Sequence, residues 1–352
     1  MGPTAIKEFI VRGQTGVSRI LTGITFENLP EYLPEGNVVI ISDTRVTGLY
    51  GSRFPEGLLL TVKPGEKSKD LHTVSRLSAK MMEAGVDRSW FLLGIGGGVV
   101  TDLAGFVAAT YMRGISFAFV PTTLLAQVDA AIGGKNGVNL KRYKNMIGTI
   151  KQPRFVLCDP LVLNTLPSEE WKNGWAEVIK HGLIADSDYL EMLHREGKRI
   201  RAGEPELLAR VIEGSVRIKS DIVNRDESET GIRSLLNFGH TAGHAMEKML
   251  RISHGKAVSL GMMLAARISR LLGLICEEDI RYITKMLQEY GLPVRTKINA
   301  GELFRAMVAD KKKKDDHMKF IVLETPGRAK PVEIPLPKLG ELVKRAVKEC
   351  FV

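Results

Sequence analysis

Apolar residues in the first half of the chain come in short continuous runs, at 38–42 (Val-Val-Ile-Ile-Ser), 58–62, 90–93, 117–120 and 155–157. Continuous rather than alternating hydrophobicity marks strands buried on both faces, as in a parallel sheet covered by helices. Between two of these runs, Leu71, Val74, Leu77 and Met81 form one stripe along 68–84, which is the helical period. Strand and helix in alternation predict an α/β domain with a parallel sheet. Past Pro167 the pattern changes to amphipathic helices, the first opening on Ser168 as its N-cap. The expected division is an α/β domain over 1–168 and a mainly α-helical domain over 169–352, with a late strand at 320–323.

Glycine gathers where strands give way to helices. Gly94-Ile95-Gly96-Gly97-Gly98 leads into an apolar helix running through Tyr111. Backbone amides left open by glycine, together with the helix dipole, suit a phosphate. The spacing is not the dinucleotide fingerprint, because Val99 or Thr101 stands where its third glycine belongs. The acidic residue best suited to ribose hydroxyls, Asp43, ends an earlier strand and lies before the loop. Residues 64–69 (Pro-Gly-Glu-Lys-Ser-Lys) follow the next strand and could frame a nucleoside. Pro121 stops the 117–120 strand, and Thr122 or Thr123 can cap a helix or bind a ligand. A second glycine-rich loop, 133–139 (Gly-Gly-Lys-Asn-Gly-Val-Asn), carries Lys135, and Lys144-Asn145 follow it. Lysines beside such backbone suit anionic groups, although a solvated surface also presents single lysines.

In the helical half, Asn237-Phe238-Gly239-His240-Thr241-Ala242-Gly243-His244 is followed ten residues later by His254-Gly255. His240 and His244 stand at i and i+4, so on a helix they share a face and could present two ring nitrogens to one ion. A pair of hydrogen-bonded structural histidines has the same spacing. Glu177 and Lys180 share a face at an ordinary ion-pair interval, or Glu177 supplies a third ligand. Two histidines and a glutamate around zinc leave a position open, which is a catalytic arrangement. Arg233 lies four residues before Asn237, so both could face one ligand.

Composition narrows the partners. Apolar content of 44% and charged content of 26% are those of an ordinary globular protein. No apolar run approaches the roughly 18 residues of a membrane span. The first ten residues, with Lys7 and Glu8, lack the apolar core of a secretory signal. Three cysteines, far apart and without a C-x-x-C pair, suit the reducing cytoplasm and argue against a cysteine-held metal. The net charge of +10 points to an anionic partner. Aromatic residues do not alternate with basic ones, so a stacking surface for nucleic acid is not indicated. The lysine run 311–314 has the composition of a solvated loop.

With these pieces assembled, the chain resembles the 3-dehydroquinate synthases, members of the sugar phosphate cyclase group. The resemblance spans about 43–323. It is carried by Gly96-Gly97-Gly98 through Asp102, Tyr111-Met112-Arg113-Gly114, 120–129 (Val-Pro-Thr-Thr-Leu-Leu-Ala-Gln-Val-Asp), Gly133-Gly134-Lys135, 144–148 (Lys-Asn-Met-Ile-Gly), 176–180 (Ala-Glu-Val-Ile-Lys) and 236–241 (Leu-Asn-Phe-Gly-His-Thr). It implies a nucleotide-binding α/β domain, a helical metal-binding domain and an active site in the cleft between them. The implied reaction converts 3-deoxy-D-arabino-heptulosonate 7-phosphate to 3-dehydroquinate and phosphate, in the shikimate pathway. It proceeds by transient oxidation, phosphate elimination, reduction and ring closure, with NAD and a divalent metal, zinc or cobalt. The metal ligands implied are Glu177, His240 and His254, so His244 contacts substrate instead. Arg113, from a neighbouring subunit of a homodimer, would meet the phosphate together with Lys135, Asn145, Asn237, His244 and Lys311 or Lys312. Lys219 and Arg233 would bind the carboxylate, and Asp129 and Lys180 the reacting hydroxyl region. Asp43, Glu66, Lys69, Gly97, Gly98, Asp102, Thr122, Thr123 and Lys144 would bind NAD.

Four positions depart from the family pattern: Thr101 and Tyr143 replace glycines, Asn136 a threonine and Lys256 a glutamate. Three other readings remain. They are a cyclase acting on a substrate without the carboxylate, a metal- and NAD-dependent polyol dehydrogenase, and a catalytically silent nucleotide- or nucleic-acid-binding protein.

Overall fold

A computed structural model describes residues 6–141, 143–309 and 316–350. The chain forms two compact units: Met1–Leu166 with Leu208–Ser228, and Pro167–Leu207 with Glu229–Val352.

The first unit begins with β1 (Lys7–Gly13) and β2 (Gly16–Thr22). Next come β3 (Val38–Asp43), α1 (Thr44–Tyr50), β4 (Leu58–Val62) and α2 (Leu71–Glu83). They are followed by β5 (Phe91–Gly96), α3 (Gly98–Thr110), β6 (Ser116–Pro121), β7 (Lys135–Leu140), β8 (Tyr143–Ile150) and β9 (Phe155–Cys158). Seven strands form one sheet in the order β1-β2-β9-β6-β5-β3-β4. All its neighbours pair in parallel except the β1–β2 hairpin. Every residue of β3, β5 and β9 is buried, so the continuous apolar runs are strands covered on both faces.

Three local expectations are corrected. The 68–84 helix starts at Leu71, because Asp70 caps it through Thr73 N at 2.8 Å. The first helix of the second half has Pro167, not Ser168, in the N-cap position, and no side chain caps it. Residues 133–139 are not one loop. Gly133 and Gly134 turn in the left-handed region, with φ of 97° and 71°, and Lys135 then enters β7, which pairs antiparallel with β8. The edge hairpin β1–β2 has no clear sequence signal, since polar and apolar residues mix along both strands.

The segment Leu208–Ser228, in α7 (Pro205–Arg225) and just beyond it, closes that edge. Asn224 accepts from Arg12 N at 2.7 Å and donates to Ile10 O at 2.8 Å. Glu227 accepts from Gln14 N at 2.7 Å, Thr15 Oγ1 at 2.8 Å and Gln152 Nε2 at 2.9 Å. Exposed strand edges invite foreign pairing, and these side chains take up edge groups of β1 and its turn.

The second unit is mainly helical. Between α4 (Ser168–Ala185) and α7 lie α5 (Ser187–Arg195) and α6 (Gly197–Arg201). Then come α8 (His240–Leu250), α9 (His254–Leu271), α10 (Glu277–Glu289) and α11 (Ala300–Ala309). The hairpin β10 (His317–Thr325) and β11 (Arg328–Pro335) follows, and α12 (Leu336–Cys350) ends the unit. The late strand at 320–323 is the middle of β10. Helices α8 and α9 approach closely through glycine. Gly239 has φ 78°, and a Cβ there would lie 2.7 Å from Met262 Cγ. A Cβ on Gly261 would collide with the Gly239 carbonyl. Larger residues at these positions would push the two helices apart.

Candidate active site

In the second unit, α4 is buried along 173–184, including both charged residues Glu177 and Lys180. Glu177 is fully buried and Lys180 is 1% exposed, so their spacing is no surface decoration. A buried charge is retained only when paired, and here Lys180 Nζ is ion-paired with Glu177 Oε2. The other carboxylate oxygen meets His254 Nε2 at 3.0 Å and His240 Nε2 at 3.4 Å. His240 opens α8 and His254 opens α9. The glycine-mediated approach of the two helices therefore brings their imidazoles together, with ring centroids 5.5 Å apart.

One ligand atom from each of Glu177, His240 and His254 lies within 4.8 Å of the other two. A carboxylate with two imidazoles fits a zinc-like ion and leaves coordination open. His240 Nδ1 lies 3.2 Å from Phe238 O, the kind of outer contact that fixes a ligating tautomer. His244 stands edge-on to His240, with centroids 5.3 Å apart. Burial alone would raise the Glu177 pKa, but Lys180 and then the histidines outweigh it and hold the carboxyl well below its usual range. Burial would lower His254, and its hydrogen bond to Glu177 raises it instead.

Arg233 and Asn237 belong to a 3₁₀ segment, Ile232–Asn237. With three residues per turn, positions four apart are not stacked as the α-helical spacing would have them. Arg233 is buried, and Asn237 Nδ2 donates to Glu229 Oε1. Glu229 is hardly marked in the sequence. Its signal was slight, an acidic residue four positions before Arg233. Lys256, in place of the family glutamate, pairs with Glu169 Oε2 at 2.8 Å on the first turn of α4. Lys172 and then Lys256 hold the Glu169 carboxyl down at about 2.

In the first unit, α3 starts at Gly98 with Gly97 as an extended N-cap. A Cβ on Gly97 would come 2.9 Å from Thr123 Cγ2, so glycine is what lets this turn pack against Thr123. Thr122 N donates to Gly96 O at 2.9 Å, and Thr123 Oγ1 accepts from Ala126 N at 3.2 Å. Asp43 caps α1 through Arg45 N and Val46 N, each at 2.9 Å. Lys69 Nζ is ion-paired with Asp102 and donates to Asn145 Oδ1 at 2.6 Å. Burial pushes the Asp102 carboxyl up, against the pull of Lys69. Glu66 is reached by Asn139 Nδ2 at 2.7 Å. Nothing in the sequence pattern singles out Asn139, which ends the glycine-rich stretch 133–139.

Elsewhere in this unit, Lys219 Nζ donates to Asp129 O at 2.6 Å and Oδ1 at 2.5 Å. Lys135, at the start of β7, and Lys144, in β8, are exposed. Arg113 is exposed in a turn where it and Met112 are both left-handed, with φ of 68° and 49°, a conformation that costs energy in residues with a side chain. Thr101 is accommodated within α3, its hydroxyl bonded to Gly98 O at 3.1 Å. Asn136 donates to Gly134 O at 2.8 Å and Lys151 O at 3.0 Å, tying the base of the β7–β8 hairpin. Tyr143 is half exposed at the start of β8. Lys311 and Lys312 lie outside the described residues.

Comparison with known proteins identifies the family. The family profile for the 3-dehydroquinate synthase N-terminal domain matches residues 59–173, and that for the C-terminal domain matches 174–313. The 3-dehydroquinate synthase of Pelobacter propionicus is 39% identical over 325 residues, covering 88% of this chain and 90% of the relative. A 2-epi-5-epi-valiolone synthase from Streptomyces hygroscopicus, solved with NAD+ and Zn2+ bound, superposes with TM-score 0.85 at 25% identity, covering 98% of this chain and 99% of that one. A 2-deoxy-scyllo-inosose synthase complexed with carbaglucose-6-phosphate, NAD+ and Co2+ gives TM-score 0.84 at 25% identity, covering 96% of this chain and 100% of that one.

Proposed function

The chain belongs to the 3-dehydroquinate synthase family, and on that premise we propose that it converts 3-deoxy-D-arabino-heptulosonate 7-phosphate to 3-dehydroquinate and phosphate. The observation that carries this reading is the convergence of Glu177, His240 and His254 beside Lys180, within a chain matched by both domain profiles of the family.

When bound, NAD would accept and return a hydride while the divalent metal polarises the reacting hydroxyl. The chain's own residues do the rest. Glu177, His240 and His254 hold the metal, and Lys180 keeps Glu177 ionised in its buried setting. Gly97, Gly98, Thr122 and Thr123 shape the cofactor cradle, to which Asp43, Glu66, Lys69, Asp102 and Lys144 add polar groups. Lys219 and Arg233 bind the substrate carboxylate, and Asp129, which pins Lys219, contacts the hydroxyl region. Lys135, Asn145, Asn237 and His244 address the phosphate. Retention of Lys219, Arg233 and Asn237 favours a substrate that carries a carboxylate over those that lack one.

The enzyme works in the cytoplasm as a homodimer in which Arg113 serves the neighbouring subunit. Among the described residues no helix is long and apolar enough to cross a membrane. Sedimentation equilibrium checks the assembly, and a strictly monomeric active enzyme excludes that role for Arg113.

The deciding assay supplies the heptulosonate phosphate, zinc and a catalytic amount of NAD+, then follows phosphate release and identifies the product. Stoichiometric accumulation of NADH would identify a dehydrogenase instead. Arg233→Ala should lower kcat/KM for this substrate by about 100-fold, the loss of a buried charged contact being worth roughly 2–5 kcal/mol, while NAD+ affinity changes by less than about twofold. Equal losses in both would show that Arg233 supports the fold and not the carboxylate.

A further inference from the structure

Asn139, near the end of β7, joins three segments through three different groups. Its backbone N–H donates to Lys69 O at 2.8 Å. Its Nδ2 donates to Glu66 Oε1 at 2.7 Å, and its Oδ1 accepts from Asn145 N at 2.9 Å. Lys69 Nζ closes the ring on Asn145 Oδ1 at 2.6 Å while paired with Asp102. A lysine ammonium only donates, so the amide oxygen of Asn145 must face Lys69 and its NH2 end turns the other way. Asn145 itself is held at φ 53°, a left-handed conformation that asparagine tolerates but that needs anchoring.

From this ring we propose that Asn139 is a positioning residue that couples occupancy of the cofactor loop to recognition of the substrate phosphate by Asn145. The inference rests on the reading above, in which Glu66 and Lys69 serve NAD and Asn145 serves the phosphate. A hydroxyl bound to Glu66 acts on the Asn139 amide that accepts from Asn145 N, and an anion drawn to Lys69 engages the ammonium that holds the Asn145 amide. Binding at one end therefore changes the free energy of binding at the other, by equal amounts in both directions. The sign is positive. A ligand that fixes Glu66 and Lys69 also orders the Asn139 amide between them, which leaves less ordering to be done when phosphate arrives.

Without the Asn139 amide the direct bond from Lys69 Nζ to Asn145 Oδ1 remains, but the link from Glu66 to the backbone N–H of Asn145 is lost. Asn139→Asp is the sharper variant. It keeps an acceptor for Asn145 N, removes the donor to Glu66 and sets two carboxylates against each other. Asn139→Ala removes both links.

The test is equilibrium titration of the zinc-loaded full chain with NAD+, in the presence and absence of saturating inorganic phosphate. In the wild type, phosphate should tighten NAD+ by about fivefold or more, at the lower end of common coupling energies. In both variants that ratio should fall by about twofold or more, with each folded as judged by circular dichroism. Variants that weaken NAD+ and phosphate separately yet keep the ratio would overturn the proposal and leave Asn139 a structural staple. A wild-type ratio of one would overturn it as well. A wild type that binds no NAD+ at all would bring down the functional reading beneath it, a result distinct from either of these.

Discussion

Glu177→Gln is expected to strip the divalent metal from the protein and reduce turnover to background. The glutamine offers a neutral oxygen where the carboxylate now meets His254 at 3.0 Å and His240 at 3.4 Å. Loss of a ligand should exceed the roughly 10–100-fold that loss of an outer-shell partner costs in metal affinity. His240→Ala and His254→Ala should behave alike, with metal content after dialysis measured by plasma mass spectrometry. His244→Ala separates the two arrangements open to the sequence. It should keep the metal and lose turnover, because His244 stacks edge-on against His240 and lies outside the ligand cluster. A His244→Ala protein without metal, beside a His254→Ala protein that retains it, would reverse the ligand assignment.

Lys180→Met should produce the largest loss of stability. Lys180 is the chief charged group opposing the burial of Glu177, and both are almost fully enclosed. Breaking a buried pair by removing one partner costs about 3–5 kcal/mol, since the remaining charge is left in a poorly solvating interior. The metal-free variant should therefore unfold at a markedly lower urea concentration than the metal-free wild type. Zinc should recover part of the deficit, because a cation bound only to the native state stabilises it by mass action and supplies the charge that Lys180 provided. Equal urea midpoints for the two metal-free proteins would mean that Glu177 is protonated or solvated in its pocket, and would sink this account.

The parallel sheet was readable because burial on both faces leaves a one-dimensional trace. The stretches 38–41 and 155–157 are apolar without interruption, as strands such as β3 and β9 buried on both faces require. The β1–β2 and β7–β8 hairpins were not legible. Lys135–Leu140 and Tyr143–Ile150 include glycine, lysine and asparagine, residues chosen for chemistry and close approach. Local propensity therefore spoke for a loop while pairing made a ladder. In the candidate site the residue pattern showed the residue types but not their assembly, and it was the family resemblance that named Glu177, His240 and His254 together. The i, i+4 spacing of His240 and His244 was a true local regularity, yet spacing along one helix says nothing about where a carboxylate on another helix arrives.

The sequence by itself determined the α/β character of the first half, the helical character of the second and a pool of chemistry-bearing side chains. Each of these is a local property of neighbouring residues, set by burial period and residue type. Only the tertiary structure decided that Glu177 meets His240 and His254, that Lys256 is taken up by Glu169, and that Asn139 joins Glu66 to Asn145. Those contacts depend on how closely separate elements pack. The glycines at 239 and 261 let α8 and α9 approach, so the metal cluster was set by backbone contact, which has no counterpart in the order of side chains along the chain.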